Sequence, residues 1–373
     1  MLLREKKEAH DGRLITLQAS KSTGTHRGVI KHADIIGKEP RQVVLSNKGA
    51  TYRVVEPTLA EYVRLTPRLV TPIYPSDTNL IVSLLDIHVD TPSGGPTEPP
   101  LEILEAGTGH GALTLHLSRA IHAANPPLPT TPSYANTQEE ELEDAVYLGE
   151  SISDLQDSVL GSWKQNRRAI IHTLDISRKH SDFAKKIVQG FRHGIYAGNV
   201  DFHVGDVSEW IASQRASRTT EEPFLTHVFL DLPNANRHLA NVAPALRTNG
   251  MLAVFNPSIT QIAECVETIR EQKMPYLLDQ VIELGAGTIR EWDVRAVRPR
   301  ATARNTEPLS DDETVRPQIQ QVARDTELAE DLAKQGEKWA MVCRPKAGQQ
   351  VVGGGFLGLW RRMEKPDSRE ESE

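Results

Sequence analysis

A glycine-rich segment that follows an apolar run is the sharpest chemical signal in the sequence. Glu105-Ala106-Gly107-Thr108-Gly109-His110-Gly111-Ala112-Leu113 comes directly after Leu101–Leu104. Glycines spaced two apart permit a tight turn and let the backbone approach a ligand closely. An acid before G-x-G-x-G departs from the G-x-G-x-x-G fingerprint of dinucleotide sites. The segment favours S-adenosylmethionine, which has no pyrophosphate to place on a helix N-terminus; a nucleotide site and a plain strand-to-helix turn are the alternatives.

Three further acids follow apolar runs that are typical of buried strands: Asp175, Asp206 and Asp231. In open α/β sheets, ligands bind in the crevice beyond the carboxyl ends of the strands. Asp175 is placed there to accept hydrogen bonds from ribose hydroxyls, and Asp206 from an adenine amine. Asp206 serves equally well as an N-cap for the helix that follows, and Asp231 as a structural turn. Together the three acids indicate a ligand site more strongly than any one of them.

The elements that must position these residues alternate between strand and helix. Helices are predicted after Gly107, around Ser181–Phe191 and after Asp206. Strands are predicted at Leu101–Glu105, Ala169–Leu174, Val200–Val204, His227–Leu230, Met251–Phe255 (entered through a turn at Asn249-Gly250), Tyr276–Leu284 and Phe356–Trp360. The alternation predicts an α/β fold with a doubly wound, Rossmann-like and mostly parallel sheet over residues 57–300.

The first 56 residues are predicted to form a small β domain. Arg13–Leu17 and Gln42–Leu45 have strand character, and Asn47-Lys48-Gly49 supplies a turn. Two helices then lead into the larger domain. Thr58 with Glu61 forms the pattern of a capping box, and Ser76 and Asp77 precede the apolar-periodic stretch of a second helix.

Two stretches interrupt the strand–helix rhythm. Residues 125–165 combine a proline run with a segment, 139–157, that has eight acids and no Lys or Arg, and residues 301–337 are again polar and acidic. Both are predicted to be partly disordered insertions. Residues 338–373 are predicted to hold the last strand of the sheet and a tail.

Charge and cysteine content limit the function classes. The formal net charge is −7, yet residues 1–53 carry eleven Lys and Arg against five Asp and Glu. An RNA footprint would therefore lie on the N-terminal part or on a partner, although both charge runs are equally well explained as solvated faces. The two cysteines lack metal-ligand spacing, so no metal site and a reducing compartment are expected. No apolar run is long enough to cross a membrane.

At this point the sequence resembles the catalytic subunit of tRNA adenine-N1 methyltransferases of the adenine 58 type. The resemblance covers about three quarters of the chain. Besides the Glu105–Leu113 segment, the residues that carry it are Arg27–Gly37, Pro57–Val63, Ile73–Asp77, Asn256–Gln261 and Phe356-Leu357. The sequence departs from the family pattern after Asp231-Leu232-Pro233, where the usual Pro-Trp pair is replaced by Asn234-Ala235-Asn236-Arg237-His238.

The resemblance implies a function and a set of site residues. S-adenosylmethionine would be the cofactor, tRNA the substrate, Asp231 the catalytic residue, and Tyr74 and Asp77 substrate-binding residues. The implied cofactor-binding residues are Glu105, Gly107, Thr108, Gly109, His110, Gly111, Ala112, Asp175, Asp206 and Val207. The family also implies a homo-tetramer or a hetero-oligomer, and the acidic net charge favours a more basic, non-catalytic partner subunit.

Alternatives stay open at this stage. A non-catalytic RNA-binding or scaffold subunit should have lost the glycine segment or Asp231, and this chain has lost neither. A small-molecule methyltransferase would leave the N-terminal β domain without an obvious purpose. The divergence from the family and the basic first fifty residues favour a mitochondrial protein, with the nucleus as the alternative.

Overall fold

The computed structural model describes residues 1–5, 12–90, 99–129, 160–218, 220–285, 292–297, 340–345 and 354–364. The chain divides into two compact units, Met1–Gly287 with Val352–Glu373, and Thr288–Val351. The acidic stretch 301–337 and most of the first interruption, residues 130–159, lie outside the described residues. In the second unit, the described backbone is an antiparallel pair of strands, Trp292–Val297 and Ala340–Pro345.

A seven-stranded sheet forms the centre of the first unit. Its strands are β7 (Leu101–Ala106), β8 (Ala169–Asp175), β9 (Val200–Val204), β10 (Leu225–Leu230), β11 (Leu246–Asn256), β12 (Tyr276–Leu284) and β15 (Gly355–Arg362). The labels β13 (Trp292–Val297) and β14 (Ala340–Pro345) belong to the pair of strands in the second unit. The order across the sheet is β12-β15-β11-β10-β7-β8-β9. Neighbours from β11 to β9 are parallel, and β15 is antiparallel to both its neighbours. The predicted doubly wound, mostly parallel sheet is confirmed.

Helices cover both faces of this sheet because its central strands are apolar on both sides. The helices are α1 (Leu59–Leu65), α2 (Pro75–Leu84), α3 (Ala112–Ile121), α4 (Arg178–Gly190), α5 (Val207–Ser217), α6 (Leu239–Val242) and α7 (Ile259–Glu271). Ile103 packs in one core with Ile187 and Val188 of α4. Its neighbour Leu104 faces the other side and packs with Ile262 of α7. This alternation is the two-residue period of a strand.

The N-terminal region is a separate, antiparallel β structure with its own small core. Strands β1 (Leu2–Glu5), β2 (Arg13–Leu14), β5 (Val43–Leu45) and β6 (Thr51–Val55) form a four-stranded sheet of order β2-β1-β6-β5. Strands β3 (Ser22–Thr25) and β4 (Gly28–Lys31) form a hairpin. The strand predicted over Arg13–Leu17 is shorter than expected, since regular pairing with β1 ends at Leu14.

The two helices that follow differ in how well their starts were predicted. The capping box at α1 is confirmed, since Thr58 Oγ1 accepts from the Glu61 N–H at 3.3 Å and Glu61 Oε2 accepts from the Thr58 N–H at 2.9 Å. The second predicted helix, α2, is confirmed, but Ser76 and Asp77 lie within its first turn rather than before it. The helix begins earlier, at Pro75, because the fixed φ of proline suits the first helical position and its missing N–H costs nothing there.

The turn predicted at Asn249-Gly250 is also wrong, because β11 runs through it. Leu225 pairs with Leu246, whereas His227 pairs with Met251, so β11 bulges between these two pairs. Asn249 has φ of 64°, a left-handed conformation that asparagine tolerates. The bulge absorbs the extra residues without ending the strand.

The two described ends of the first interruption are anchored to the sheet. Asn125 Nδ2 donates to the Ala169 carbonyl at 2.8 Å, and the Trp163 indole N–H lies 3.1 Å from the carbonyls of Pro126 and Pro127. Trp163 is buried. These contacts hold the two described ends of the interruption together near the start of β8. The sheet can therefore continue as it would with a short connection. Within the described residues, no helix has the length and apolar character needed to cross a membrane.

Candidate active site

The candidate site lies where the strand order of the sheet reverses. From β7 the chain moves outward through β8 and β9 on one side, whereas β10 and β11 lie on the other side. Beyond the carboxyl ends of β7 and β10, the two following segments diverge and leave a crevice. The Asp231 N–H donates to the Ala106 carbonyl at 2.8 Å, and the Gly107 N–H donates to the Leu174 carbonyl at 2.8 Å. The glycine turn and Asp231 are therefore held side by side by backbone hydrogen bonds.

Glycine is required at position 107 by a close approach of two backbones. Gly107 has φ of 95°, and a Cβ placed on it would lie 2.3 Å from the Asp231 carbonyl oxygen. Gly109 has φ of 52°, and the nearest atom to its Cβ position is a methyl of Val70 at 3.5 Å. The first glycine thus lets β7 and β10 close together, and the positive φ of the second is a conformation that a larger residue rarely adopts.

Glu105 is buried at the end of β7 and held by hydroxyl groups. Thr114 and Thr173 donate to its Oε2 at 2.6 and 2.8 Å, and the hydroxyls of Thr108 and Thr173 lie 2.7 Å apart. Burial raises the pKa of Glu105 to about 7, and the charge of Asp231 adds to the shift, although the hydroxyl donors oppose it. Its side chain lines the crevice, so it offers a carboxyl group that a bound cation would ionise.

Asp231 presents a carboxylate without a partner. Among the described residues, no hydrogen-bond donor reaches its side chain. Burial raises its pKa to about 7, and the nearby charge of Asp175 raises it further. An acid with a raised pKa that lines a crevice and has no donor among the described residues is a candidate group for binding a ligand.

Asp175 ties the glycine turn to α4. As the last residue of β8, it accepts from the Gly109 N–H at 3.1 Å and from the Ser177 N–H at 2.8 Å, and His180 Nδ1 lies 3.6 Å from it. The predicted bond to ribose hydroxyls would use its remaining lone pairs. Its structural task, which sequence reasoning did not foresee, is to fix the shape of the turn.

Asp206 and Val207 lie at the neighbouring strand end. Asp206 caps α5, with Oδ1 accepting from the N–H groups of Ser208 at 2.7 Å and Glu209 at 3.3 Å. Its second oxygen lies 4.0 Å from His238 Nε2, and His238 Nδ1 lies 2.9 Å from the Ser208 hydroxyl. The N-cap interpretation of Asp206 is therefore correct, and Oδ2 is left for a ligand. Val207 is buried in the core.

The two predicted substrate residues lie beside the crevice. Thr71, Pro72 and Ile73 line it directly, and Tyr74 and Asp77 follow at the start of α2. The Arg68 guanidinium lies 5.5 Å from the centre of the Tyr74 ring. Asp77 is buried, which raises its pKa despite a hydrogen bond from Ser76.

The lining of the crevice fits a cationic cofactor. Its residues are Thr71, Pro72, Ile73, Glu105, Gly107, Thr108, Gly109, His110, Ala112, Leu113, Phe229 and Asp231. They include two carboxyl groups and no Lys or Arg. Burial lowers the pKa of His110, whose Nε2 lies 3.2 Å from the Thr66 hydroxyl, so this ring is neutral at pH 7. A sulfonium and an ammonium are stabilised by such a lining, whereas a pyrophosphate is repelled by it.

Sequence reasoning missed several residues of this site. Thr71–Ile73 and Phe229 line the crevice, and Thr114 and Thr173 hold Glu105. Only the proximity of Thr71–Ile73 to Tyr74 along the chain could have indicated them. Gly111, predicted to bind the cofactor, lies close to α4, since a Cβ placed on it would be 3.2 Å from Ala184 Cβ.

The sheet order, the glycine turn and the acidic crevice define an S-adenosylmethionine-dependent methyltransferase. Comparison with known families makes the assignment narrower. Residues 166–358 match the family described as tRNA methyltransferase complex GCD14 subunit, and residues 5–44 match a TrmI-like N-terminal domain. The chain belongs to this tRNA methyltransferase family.

Individual proteins agree with this family. The chain is 28% identical over 270 residues to a tRNA (adenine(58)-N(1))-methyltransferase TrmI of Thermus thermophilus, covering 72% of this chain and 78% of the relative. The structure is similar to a tRNA (m1A58) methyltransferase TrmI from Aquifex aeolicus, with a TM-score of 0.52, 16% identity, and coverage of 98% of this chain and 96% of that one. An S-adenosylmethionine-dependent O-methyltransferase from Thermotoga maritima gives a TM-score of 0.56 at 15% identity, with coverage of 98% and 94%. The two structures show that the fold is shared.

Proposed function

We propose that the chain transfers the methyl group of S-adenosylmethionine to N1 of an adenine in tRNA, at position 58. The observation that carries this proposal is the Asp231 carboxylate, held without a donor beside the glycine turn in a family of tRNA methyltransferases. The Thermus relative, which spans most of the chain, supports the choice of N1 and of position 58. The scaffold alternative has no support, since the glycine turn and all three acids are present.

The bound cofactor supplies an electrophilic methyl group on a sulfonium. Gly107 and Gly109 would let the backbone approach it, and Glu105 would supply negative charge near its cationic groups. The segment Thr71–Ile73 forms one wall of the crevice. Holding two reactants in this geometry contributes roughly 7–11 kcal/mol in well-oriented systems.

Asp231 acts on the base. Adenine N1 has an in-plane lone pair, so its attack requires no prior deprotonation, but methylation leaves the ring cationic. A carboxylate that accepts from the N6 amine orients the base and stabilises the charge as it develops. Because no donor among the described residues occupies Asp231, this capacity is fully available to the base.

The test is methyl transfer to an unmodified tRNA transcript, followed by digestion and mass spectrometry of the nucleosides. Wild type should produce 1-methyladenosine, and Asp231→Ala should reduce the rate by at least about a hundredfold. Calorimetry should show that the variant still binds S-adenosylmethionine. A product other than 1-methyladenosine, or an unchanged rate in the variant, would refute the proposal.

We further propose that the chain works as an oligomer, either of itself or with a more basic subunit, and in mitochondria. The net charge of −7 supports a basic partner, because RNA binding requires cations that most of this surface lacks. Light scattering of the purified chain tests the assembly, since a monomer with full activity would exclude a required partner. Imaging of a tagged chain decides between mitochondrion and nucleus.

A further inference from the structure

A basic hollow lies next to the crevice, outside the residues assigned to the cofactor. It is lined by Leu69, Arg178, Lys179, Asp182, Phe183 and Lys186 and encloses about 520 Å³. Three cations and one carboxylate border it. The lining thus carries a positive charge on a protein whose net charge is −7.

The cations of this hollow have no anionic partner among the residues that the structure describes. Arg178, Lys179 and Lys186 are exposed, and none of them forms an ion pair or a side-chain hydrogen bond with another described residue. The carboxylate of Asp182, which lies among them, is exposed as well and pairs with none of them. Cations that hold no internal anion are available to an external one.

The placement of two of these cations works against the stability of α4. Arg178 and Lys179 occupy its first turn, where no acid is present. The positive end of the helix dipole disfavours cations there by roughly 0.3–1 kcal/mol each. Their charge therefore has a use other than stabilising the helix.

The exposed face of α7, on the other side of the sheet, shows that the charge of α4 is local. α7 exposes Glu264, Glu267 and Glu271 with a single Arg270. Lys185 adds a fourth exposed cation to α4, beside those that line the hollow. If the charged residues served only to keep the helix surfaces solvated, α4 would not need to be basic while α7 is acidic.

The hollow shares a wall with the crevice. The ring of Phe183 lies 6.2 Å from that of His110, which lines the crevice. Leu69 precedes Val70, whose methyl group lies 3.5 Å from the position that a Cβ on residue 109 would take. This wall is close enough to the crevice for an RNA chain with one base beside Asp231 to place neighbouring phosphates on the hollow.

We propose that Arg178, Lys179 and Lys186 bind phosphate groups of the substrate RNA and hold the strand whose base enters the crevice. The proposal rests on the proposed tRNA substrate and assigns a specific surface of this chain to it. Each lysine or arginine would neutralise one phosphate, so binding through this surface depends on salt. It positions the RNA and carries no sequence information by itself.

The test compares Lys179→Ala/Lys186→Ala with Arg270→Glu. Both variants lower the net charge by two, but Arg270 lies on α7, across the sheet. Binding of unmodified tRNA is measured by fluorescence anisotropy from 50 to 200 mM salt, S-adenosylmethionine binding by calorimetry, and thermal unfolding as a check on folding. The double variant should bind tRNA at least about tenfold more weakly, with a salt slope smaller by about 1–2. Its cofactor affinity should match that of wild type, its melting temperature should be equal or slightly higher because a cation is removed from the first turn of α4, and Arg270→Glu should bind tRNA as wild type does.

The outcomes separate this proposal from the proposed function. If both variants bind tRNA equally, or if wild type fails to bind it at 50 mM salt, the surface assignment is wrong. If the double variant loses self-association in light scattering but keeps its tRNA affinity, the hollow is a protein interface and the assignment is again wrong. If wild type binds tRNA through the hollow yet makes no 1-methyladenosine, the surface stands and the proposed reaction fails.

Discussion

Two buried glutamates on the same strand have opposite environments. Glu102, at the start of β7, lies 2.9 Å from His172 Nε2 and accepts from both terminal nitrogens of Arg218 at 3.0 and 2.6 Å. Although burial alone would raise its pKa, His172 and Arg218 lower it. Glu105, three residues later, receives only threonine hydroxyls, and burial raises its pKa to about 7.

The difference distinguishes the start of β7, which we call the structural end, from its carboxyl end, which we call the binding end. At the start of β7 the charge of Glu102 is paired with His172 and Arg218 within the protein, so this carboxylate needs no ligand. At its other end, Glu105 and Asp231 are both acids, and neither has a cationic partner among the described residues. Such an excess of negative charge is stabilised when a cation binds.

The largest expected effect comes from adding a methyl group to Gly107, at the binding end of β7. In Gly107→Ala the new Cβ would lie 2.3 Å from the Asp231 carbonyl oxygen in a left-handed backbone conformation. We expect S-adenosylmethionine affinity, measured by calorimetry, to fall by about tenfold to a hundredfold, since strain of this kind costs roughly 1–3 kcal/mol. Gly24→Ala is the matched control, because its Cβ position has no atom within 4 Å.

The second largest effect is expected on stability, from a change at the structural end of β7. Glu102→Gln removes the anion that pairs with both His172 and Arg218, and we expect the free energy of unfolding in urea to fall by about 2 kcal/mol. This value is below that of a fully buried pair because the Arg218 side chain is 30% exposed. A loss of methyl transfer without a loss of stability would contradict the division between the two ends.

The third effect is a pH dependence of the reaction. Because only ionised Asp231 stabilises a cationic ring, and its pKa is raised to about 7, kcat/KM should rise with pH. The ionised fraction, and with it the rate, should increase about tenfold between pH 6 and pH 8. The residual activity of Asp231→Asn should lack this inflection; if it persists there, another group controls the reaction.

The smallest effect on cofactor affinity is expected from Glu105→Gln. In the folded protein without cofactor Glu105 has a pKa of about 7, above its ordinary 4.5, so its ionisation makes stability fall as pH rises through this window. The amide should flatten that fall and change stability at pH 5 by less than about 1 kcal/mol. S-adenosylmethionine affinity should drop only a few-fold, because Asp231 and the glycine turn remain. Unfolding in urea at pH 5 and pH 7.5 shows whether the slope changes.

The pH dependence of Glu102 has the opposite sign. Since its folded pKa is lowered, its contribution to stability is present above its ordinary pKa of 4.5 and is lost as pH falls through the folded value. Acid unfolding of wild type and Glu102→Gln should therefore converge at low pH, whereas wild type and Glu105→Gln should differ most above neutrality.

Much of the fold follows from short-range patterns. The apolar runs from Leu101 to Trp360 predict the strands of the sheet, and Thr58 with Glu61 predicts the start of α1. At Asn249-Gly250 the sequence predicts a turn, because this pair of residues forms turns between strands in other proteins. Only the pairing with β10 keeps these residues within β11. The start of α2 was misread because proline at the first position competes with the serine and aspartate after it.

By itself the sequence determined the class of site: a glycine turn after a strand and acids after three further strands, at the carboxyl ends where α/β sheets bind ligands. Only the tertiary structure decided what each acid does. It gave Asp175 and Asp206 backbone N–H groups to bind, left Asp231 without a donor, and placed Glu102 and Glu105 of one strand in opposite electrostatic surroundings. The physical reason is that a residue's type and local pattern fix its conformation, whereas its charge state depends on burial and on partners distant in sequence.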